Sequence, residues 1–552
     1  MPVQEPESHS PASQFEIDDD LLTRLREAVV LRRIESGIEW FQTNRQAILS
    51  LDPRQKHAAA FVGYFSQWVD IGYGDEGIVR ELLQRFPKET RAALPLCDYI
   101  HLRLAEGMAT SAEEETLDAI GHFDFIISLG EEVADKQLLA LAHFWKGRCQ
   151  RKLGEYQSAL THTVKGRELA LELGYGRMAA VMQVLESWLC FQKKDLPQAA
   201  KLLEEAEAIV RETDDSVTLG NIHSGYGRIA QDEGRYDRAL EHFVNAIEFY
   251  RRRDPRHRNL ARSLGNMAYV KRLIAVRLER GLDAEVARRR KLAGRETVET
   301  GSGSVLARQR IEQLRAEASS NLAQAEDIYR SLHHHRGLGT VRIERGRLFV
   351  DHGDLERAES EADEAFQLGA DKNDHILMAR ARLLESAIET AKYEEGIDDN
   401  PASHAQRAHD YAKDALAYAQ HTENRRLLAR THIRLGVIFC TDFFNDPVAA
   451  QAWCDRAGEY LNPGNHDHLW DEYQVLKTKL LRRGSVDARL RKWSQGLIED
   501  RTFQQMTDEF ADLIVPKVWE REGRKVSRVA TKLSMSPKKV RRILTRLGLK
   551  GD

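Results

Sequence analysis

Thirteen prolines in 552 residues are few, which leaves room for long helices joined by short turns. The five cysteines, Cys97, Cys149, Cys190, Cys440 and Cys454, are scattered, odd in number and without a CxxC pair. That excludes a disulfide scaffold and suits a reducing, cytoplasmic setting. No apolar run approaches the ~18 residues that a membrane span needs. The opening MPVQEPESHSPASQ is acidic and polar, so neither a secretory leader nor a membrane partner is expected. Missing too are GxxxxGK[ST], HExxH and GxSxG, the spacings that would cradle phosphates, hold zinc or present a nucleophile. His333 to His335 and the pair His466/His468 lack metal-ligand spacing and read as surface histidines. No enzyme, cofactor or metal is therefore indicated.

Strand signals are equally scarce, whereas Ala, Leu, Glu, Arg and Gln recur at helical spacing. The expected fold class is all-α. Net charge is −4 but uneven: Arg521 to Asp552 carries eleven Lys or Arg against Glu522 and Asp552, a balance of +9 that leaves −13 on the remainder. An acidic body with a basic end points to two tasks, one of them involving a polyanion.

Four segments share one pattern: a small residue, a turn seven positions later, then alanines at fixed offsets. Gly147 precedes GEYQSAL, with Tyr156 and Ala159. Gly227 precedes GRYDRAL, with Tyr236, Ala239, Phe243 and Ala246. Gly346 precedes GDLERAE, with Leu355, Ala358, Ala362 and Ala365, and Ser187 precedes KDLPQAA, with Leu196, Ala199, Leu203 and Ala206. Small residues allow two antiparallel helices to approach, and a turn glycine tolerates positive φ. These residues resemble the tetratricopeptide (TPR) family, clearly over about four units between 137 and 370. A degraded unit surrounds Gly436, a long pair spans His375 to Ala419, and 19–136 is helical with no motif placed. The array of repeats is expected over 137–484.

The TPR resemblance implies a solenoid with a concave groove for a protein or peptide partner. Residues beside the first-helix glycine would face it: Arg148, Arg151, Arg228 and Arg347, with Asn221, Asn266 and Trp188 nearby. Guanidiniums in a groove suit anionic groups, while pairing with acids of adjacent repeats is the competing reading. A disordered tail is expected over 1–18, and an exposed insertion at ARRRKLAGRETVETGSGS, 287–304, where apolar periodicity stops.

A linker and a last domain are expected over 485–552. Phe503, Met506, Phe510 and Leu513 recur at three- and four-residue steps, the mark of an amphipathic helix. Val529, Ala530 and Leu533 suggest a short helix. Ser536 then supplies an N-cap and Pro537 a first helical position for a final helix whose Val540, Ile543, Leu544 and Leu547 face inward. Ser536, Lys538, Lys539, Arg541, Arg542, Thr545 and Arg546 remain outside. Helix, tight turn and basic helix is the helix-turn-helix layout, suited to the major groove of double-stranded DNA.

The Ala530-x-x-Leu533-x-Met535-Ser536-x-x-x-Val540 pattern and the final Leu547-Gly548-Leu549 resemble the Fis-type DNA-binding domain of bacterial regulators. The chain departs from that family in Val529-Ala530 for paired alanines, Ser534 for a turn glycine, and Pro516 in the preceding helix. The resemblance implies recognition by Ser536–Thr545 and homodimer formation through about Phe503–Glu520. The expected function is a DNA-binding transcriptional regulator controlled by a partner in the array. The alternative is a scaffold whose basic end grips an acidic protein, RNA or a polymerase subunit.

Overall fold

The computed structural model describes residues 15–68, 71, 76–130, 135–293, 302–397, 400–461, 467–484 and 502–549. These hold 26 helices and no strand. Most helices form antiparallel hairpins stacked in chain order, an all-α TPR-like solenoid. Lys136–Leu153 pairs with Tyr156–Glu172, Gly176–Gln192 with Leu196–Val210, and Ser216–Asp232 with Tyr236–Arg253. Arg258–Ala293 pairs with Ser302–Ser331, and three further pairs follow before His468–Gly484 closes the series.

Local chemistry accounts for each hairpin. Asp135, Asp195, Asp215, Asp354, Asp374 and Asn424 each accept a backbone N–H as side-chain N-caps, worth ~1 kcal/mol apiece. The turn glycines Gly154, Gly234 and Gly353 have φ of +87°, +71° and +76°; in the KDLPQAA unit Lys194 takes that conformation at +70°. A Cβ on Gly227 would lie 2.7 Å from the Phe243 ring, and one on Gly147 2.6 Å from Thr163 Oγ1. These contacts are why the first helix is small there. Tyr236, Ala239, Phe243, Ala246 and Tyr250 line one buried face of the partner helix, a spacing the helical period produces.

Residues 15–18, within the expected tail, pack against the first helices. Ile17 is buried, Phe15 packs on Trp40 and Phe61, and Asp18 caps the helix Asp19–Leu31. Residues 15–18 are thus packed where the tail was expected, because two apolar side chains find a core; residues 1–14 lie outside the described set. Residues 287–293 continue the helix Arg258–Ala293, so the expected insertion is helical on that side, and its centre, 294–301, lies outside the described residues. Within 19–136, Leu96–Ala112 and Thr116–Leu129 form a further hairpin.

The solenoid turns far enough that late repeats meet early ones. Glu423 N donates to Gly154 O at 2.8 Å, and Gln157 N donates to Glu423 Oε2 at 2.6 Å. Arg336 Nη1 reaches Lys152 O at 2.8 Å, and His335 N reaches Glu114 Oε2 at 2.7 Å. A Cβ on Gly154 would lie 2.7 Å from Thr422 Cβ, so this glycine serves both its turn and the seam. Along the seam Lys194 Nζ donates to Asp232 Oδ2 at 2.5 Å, Arg426 bonds Asp232 as well, and Arg426 lies 2.5 Å from Asp467.

Residues 503–546 form three helices around their own core. Phe503–Arg521, Val526–Lys532 and Pro537–Arg546 share Val515, Trp519, Val526, Val529, Ala530, Val540, Ile543 and Leu544. Leu547, expected inside, is 37% exposed, because the helix ends at Arg546. The preceding linker, 485–501, lies outside the described residues.

Candidate functional site

Within the turn of the solenoid lies a cavity of about 580 Å³ that opens to solvent. Arg148, Arg151, Trp188, Asn221, Arg228, Asn266 and Arg347 all line it. The first helices of successive hairpins place them there, since each presents its concave face to the same axis. Twelve Arg or Lys line the cavity against Glu114, Asp232 and Glu344.

Their roles differ once partners are counted. Arg347 donates to Glu344 at 2.8 Å, and Arg380 donates to the same oxygen at 2.9 Å, so these two arginines share one carboxylate inside the wall. Asn221 Oδ1 is occupied by Tyr250 OH at 2.8 Å, Asn259 Nδ2 at 3.0 Å and Arg262 Nη2 at 3.3 Å. Arg151 and Arg228 are instead laid against aromatic rings: Arg151 is 5.0 Å from the Trp188 centroid, and Arg228 is 5.7 Å from Trp188 and 5.6 Å from Phe191. Arg148 stacks 4.1 Å from Trp145. Cation–π contact fixes a guanidinium without cancelling its charge.

Burial pushes Arg151 well below its ordinary value, and Arg262, Arg148, Arg336 and Arg228 push it further. Burial, then Arg262, brings Arg228 down to about 10. Burial lowers Lys152 to about 8. Three buried donors on the wall, Arg151 Nε, Trp188 Nε1 and Asn266 Nδ2, have no hydrogen-bond acceptor. A wall rich in unsatisfied N–H groups and mutually repelling cations favours an acceptor-rich anion.

Arg262 and Arg336 line the cavity without a repeat signature in the sequence. Arg262 stands one helical turn before Asn266, where the unit lacks its small-residue signal. Arg336 opens the helix His335–His352 and reaches the cavity only because the seam brings that repeat back to Lys152.

In the C-terminal module Ser536, Lys538, Arg541, Arg542, Thr545 and Arg546 are exposed and Lys539 is half-buried. Ser536 Oγ accepts from Lys539 N at 3.2 Å as the N-cap. Arg546 is tied to Asp512 of the long first helix, and Lys538, Arg541 and Arg542 extend exposed toward solvent. Ser534 adopts φ of +49° in the turn. Along the first helix Phe503 is 80% and Phe510 47% exposed.

Fold and cavity define a TPR-like helical-repeat protein with an enclosed basic interior, followed by a three-helix module. No family model matches the chain, and no curated protein matches it. Among solved structures it is similar to a Rap protein complexed with Competence and Sporulation Factor, at 11% identity over 78% of this chain and 100% of that one, with a TM-score of 0.47. The apo quorum sensor NprR from B. thuringiensis is similar at 12% identity over 71% of this chain and 97% of that one, TM-score 0.45. A human IFIT1 dimer with m7Gppp-AAAA is similar at 12% identity over 81% and 96%, TM-score 0.44. All three scores fall below one half, and what the cavity does follows from its own residues.

Proposed function

We propose that this chain is a cytoplasmic DNA-binding transcriptional regulator whose TPR-like array takes a protein or peptide partner and thereby controls a C-terminal helix-turn-helix. The observation that carries the reading is the short helix Pro537–Arg546, which exposes Lys538, Arg541, Arg542 and Thr545 on one face while burying Val540, Ile543 and Leu544 on the other. An arginine pair on an exposed helix of this size suits the O6 and N7 edge of guanine, with flanking lysines on phosphates. The unpartnered Phe503 and Phe510 face suits a second copy, and two modules on a two-fold site bind where one would bind weakly.

Control follows from state-dependent affinity. A partner that binds the array differently in two arrangements shifts their populations, and with them how the two modules are presented. The test is selection of duplexes from a random pool by the full-length protein at about physiological salt, with Arg541→Ala/Arg542→Ala as control. Enrichment of a two-fold motif that the variant loses is expected. Equal recovery by both proteins would overturn DNA reading by this helix.

A further inference from the structure

We propose that the cavity binds a small organic phosphate through its phosphoryl group, held at Arg151, Arg228 and Arg262. This goes beyond the partner reading by adding a second ligand, and it does not depend on DNA binding by the C-terminal module.

The charge requirement comes first. Arg262, Arg148, Arg336 and Arg228 all act unfavourably on Arg151, and Arg262 acts so on Arg228. The acid that acts on Arg228 is Asp232, already held by Lys194 and Arg426. Arg336 is shared with Asp374 at 3.0 Å. Arg151, Arg228 and Arg262 therefore present more positive charge than one carboxylate offsets, and a dianion fits better.

The donor geometry points the same way. Arg151 Nε, Trp188 Nε1 and Asn266 Nδ2 come from three different helices and lack acceptors. A carboxylate offers two oxygens in one plane, whereas a phosphoryl group offers three disposed tetrahedrally, and so can meet donors arriving from several walls. The Trp188 ring already carries Arg151 and Arg228 and meets the edge of Tyr156 at 5.4 Å. The ring is thus already in contact with two cations and a tyrosine, which disfavours a ligand whose binding relies on stacked bases, as in single-stranded nucleic acid. A cavity of about 580 Å³ is in keeping with a small ligand.

The test is calorimetric titration of the full-length protein with pyrophosphate and with inorganic phosphate, in parallel with succinate, at about physiological ionic strength. Saturable binding of one pyrophosphate per chain is expected, weakened at least tenfold in Arg151→Gln and in Arg228→Gln and unchanged in the surface variant Lys201→Gln. Ligand-free Arg151→Gln should melt no lower than the parent, since it removes a repelled charge; that separates loss of the site from loss of the fold. Absence of pyrophosphate binding by the parent would overturn the proposal. So would binding that survives both variants but is lost in Arg541→Ala/Arg542→Ala, which would place the anion on the basic C-terminus. Succinate binding as tightly as pyrophosphate would overturn the phosphoryl assignment while leaving the cavity a ligand site.

Discussion

Replacing Asp232 by Asn tests whether the seam is held by buried charge. The Asp232 side chain is fully buried, Lys194 is 3% exposed, and the two meet at 2.5 Å, with Arg426 on the other oxygen. Burial, then Arg426, pushes Lys194 below its ordinary value, and Asp232 is the largest influence restoring it. Asn keeps the shape and removes the charge, so Lys194 and Arg426 are left in a low-dielectric site with Asp467 as their one remaining carboxylate. Breaking a buried pair from one side costs ~3–5 kcal/mol, because the remaining charge is left uncompensated. Lys194→Met alone should also destabilise, since Arg426 is then shared by the two buried carboxylates Asp232 and Asp467. In Lys194→Met/Asp232→Asn the costs should fall short of additive by at least ~1 kcal/mol. Urea unfolding gives the energies. Because repeat arrays open in segments, amide exchange at Glu423, whose N–H crosses to Gly154 O, reports the seam directly and should accelerate in Asp232→Asn. A cost under ~1 kcal/mol with unchanged exchange at Glu423 would refute this account of the seam.

Gly227→Ala places a Cβ 2.7 Å from the Phe243 ring, itself fully buried; overpacking should cost ~1–3 kcal/mol, read as a lower urea midpoint. Glu106 is buried, which alone would raise it, but His122, Arg91 and Arg103 hold it down at about 2 from an ordinary 4.5. Its folded-state value is depressed, so its contribution is present above about 4.5 and lost as pH falls toward about 2. Glu106→Gln should flatten the stability profile across that window. Phe510→Asp charges the exposed face of Phe503–Arg521 and should convert the proposed dimer to monomer in sedimentation, with the far-ultraviolet spectrum unchanged. Ser534→Gly relieves the left-handed turn at φ of +49° and should raise the C-terminal module's stability by up to ~1 kcal/mol.

The hairpins were legible because each is settled within about thirty-five residues. Gly147 and Thr163, or Gly227 and Phe243, are close in sequence and packed in space, so a repeat advertises its own geometry. The same locality let Arg148, Arg151, Arg228 and Arg347 be assigned to one concave side from repeat position alone. At the other end Ser536, Pro537 and the spacing of Val540, Ile543 and Leu544 announced a capped helix with one buried face. The packing of Phe15 and Ile17 left no comparable trace, since their partners Trp40 and Phe61 lie in separate helices with no repeat signature.

What composition and repeat spacing determined, then, was the helices, their pairing and the sign of charge along the groove. The closure of the array was decided only in three dimensions. A small rotation per hairpin, too small to mark any residue, accumulates until Glu423 meets Gly154 and Arg336 meets Lys152. That closure bounds the groove on its open side, and brings Arg336 to the wall that Arg151, Arg228 and Arg262 already line from successive hairpins. Each arginine alone is an ordinary surface cation; only their enclosure removes the water that would have screened them.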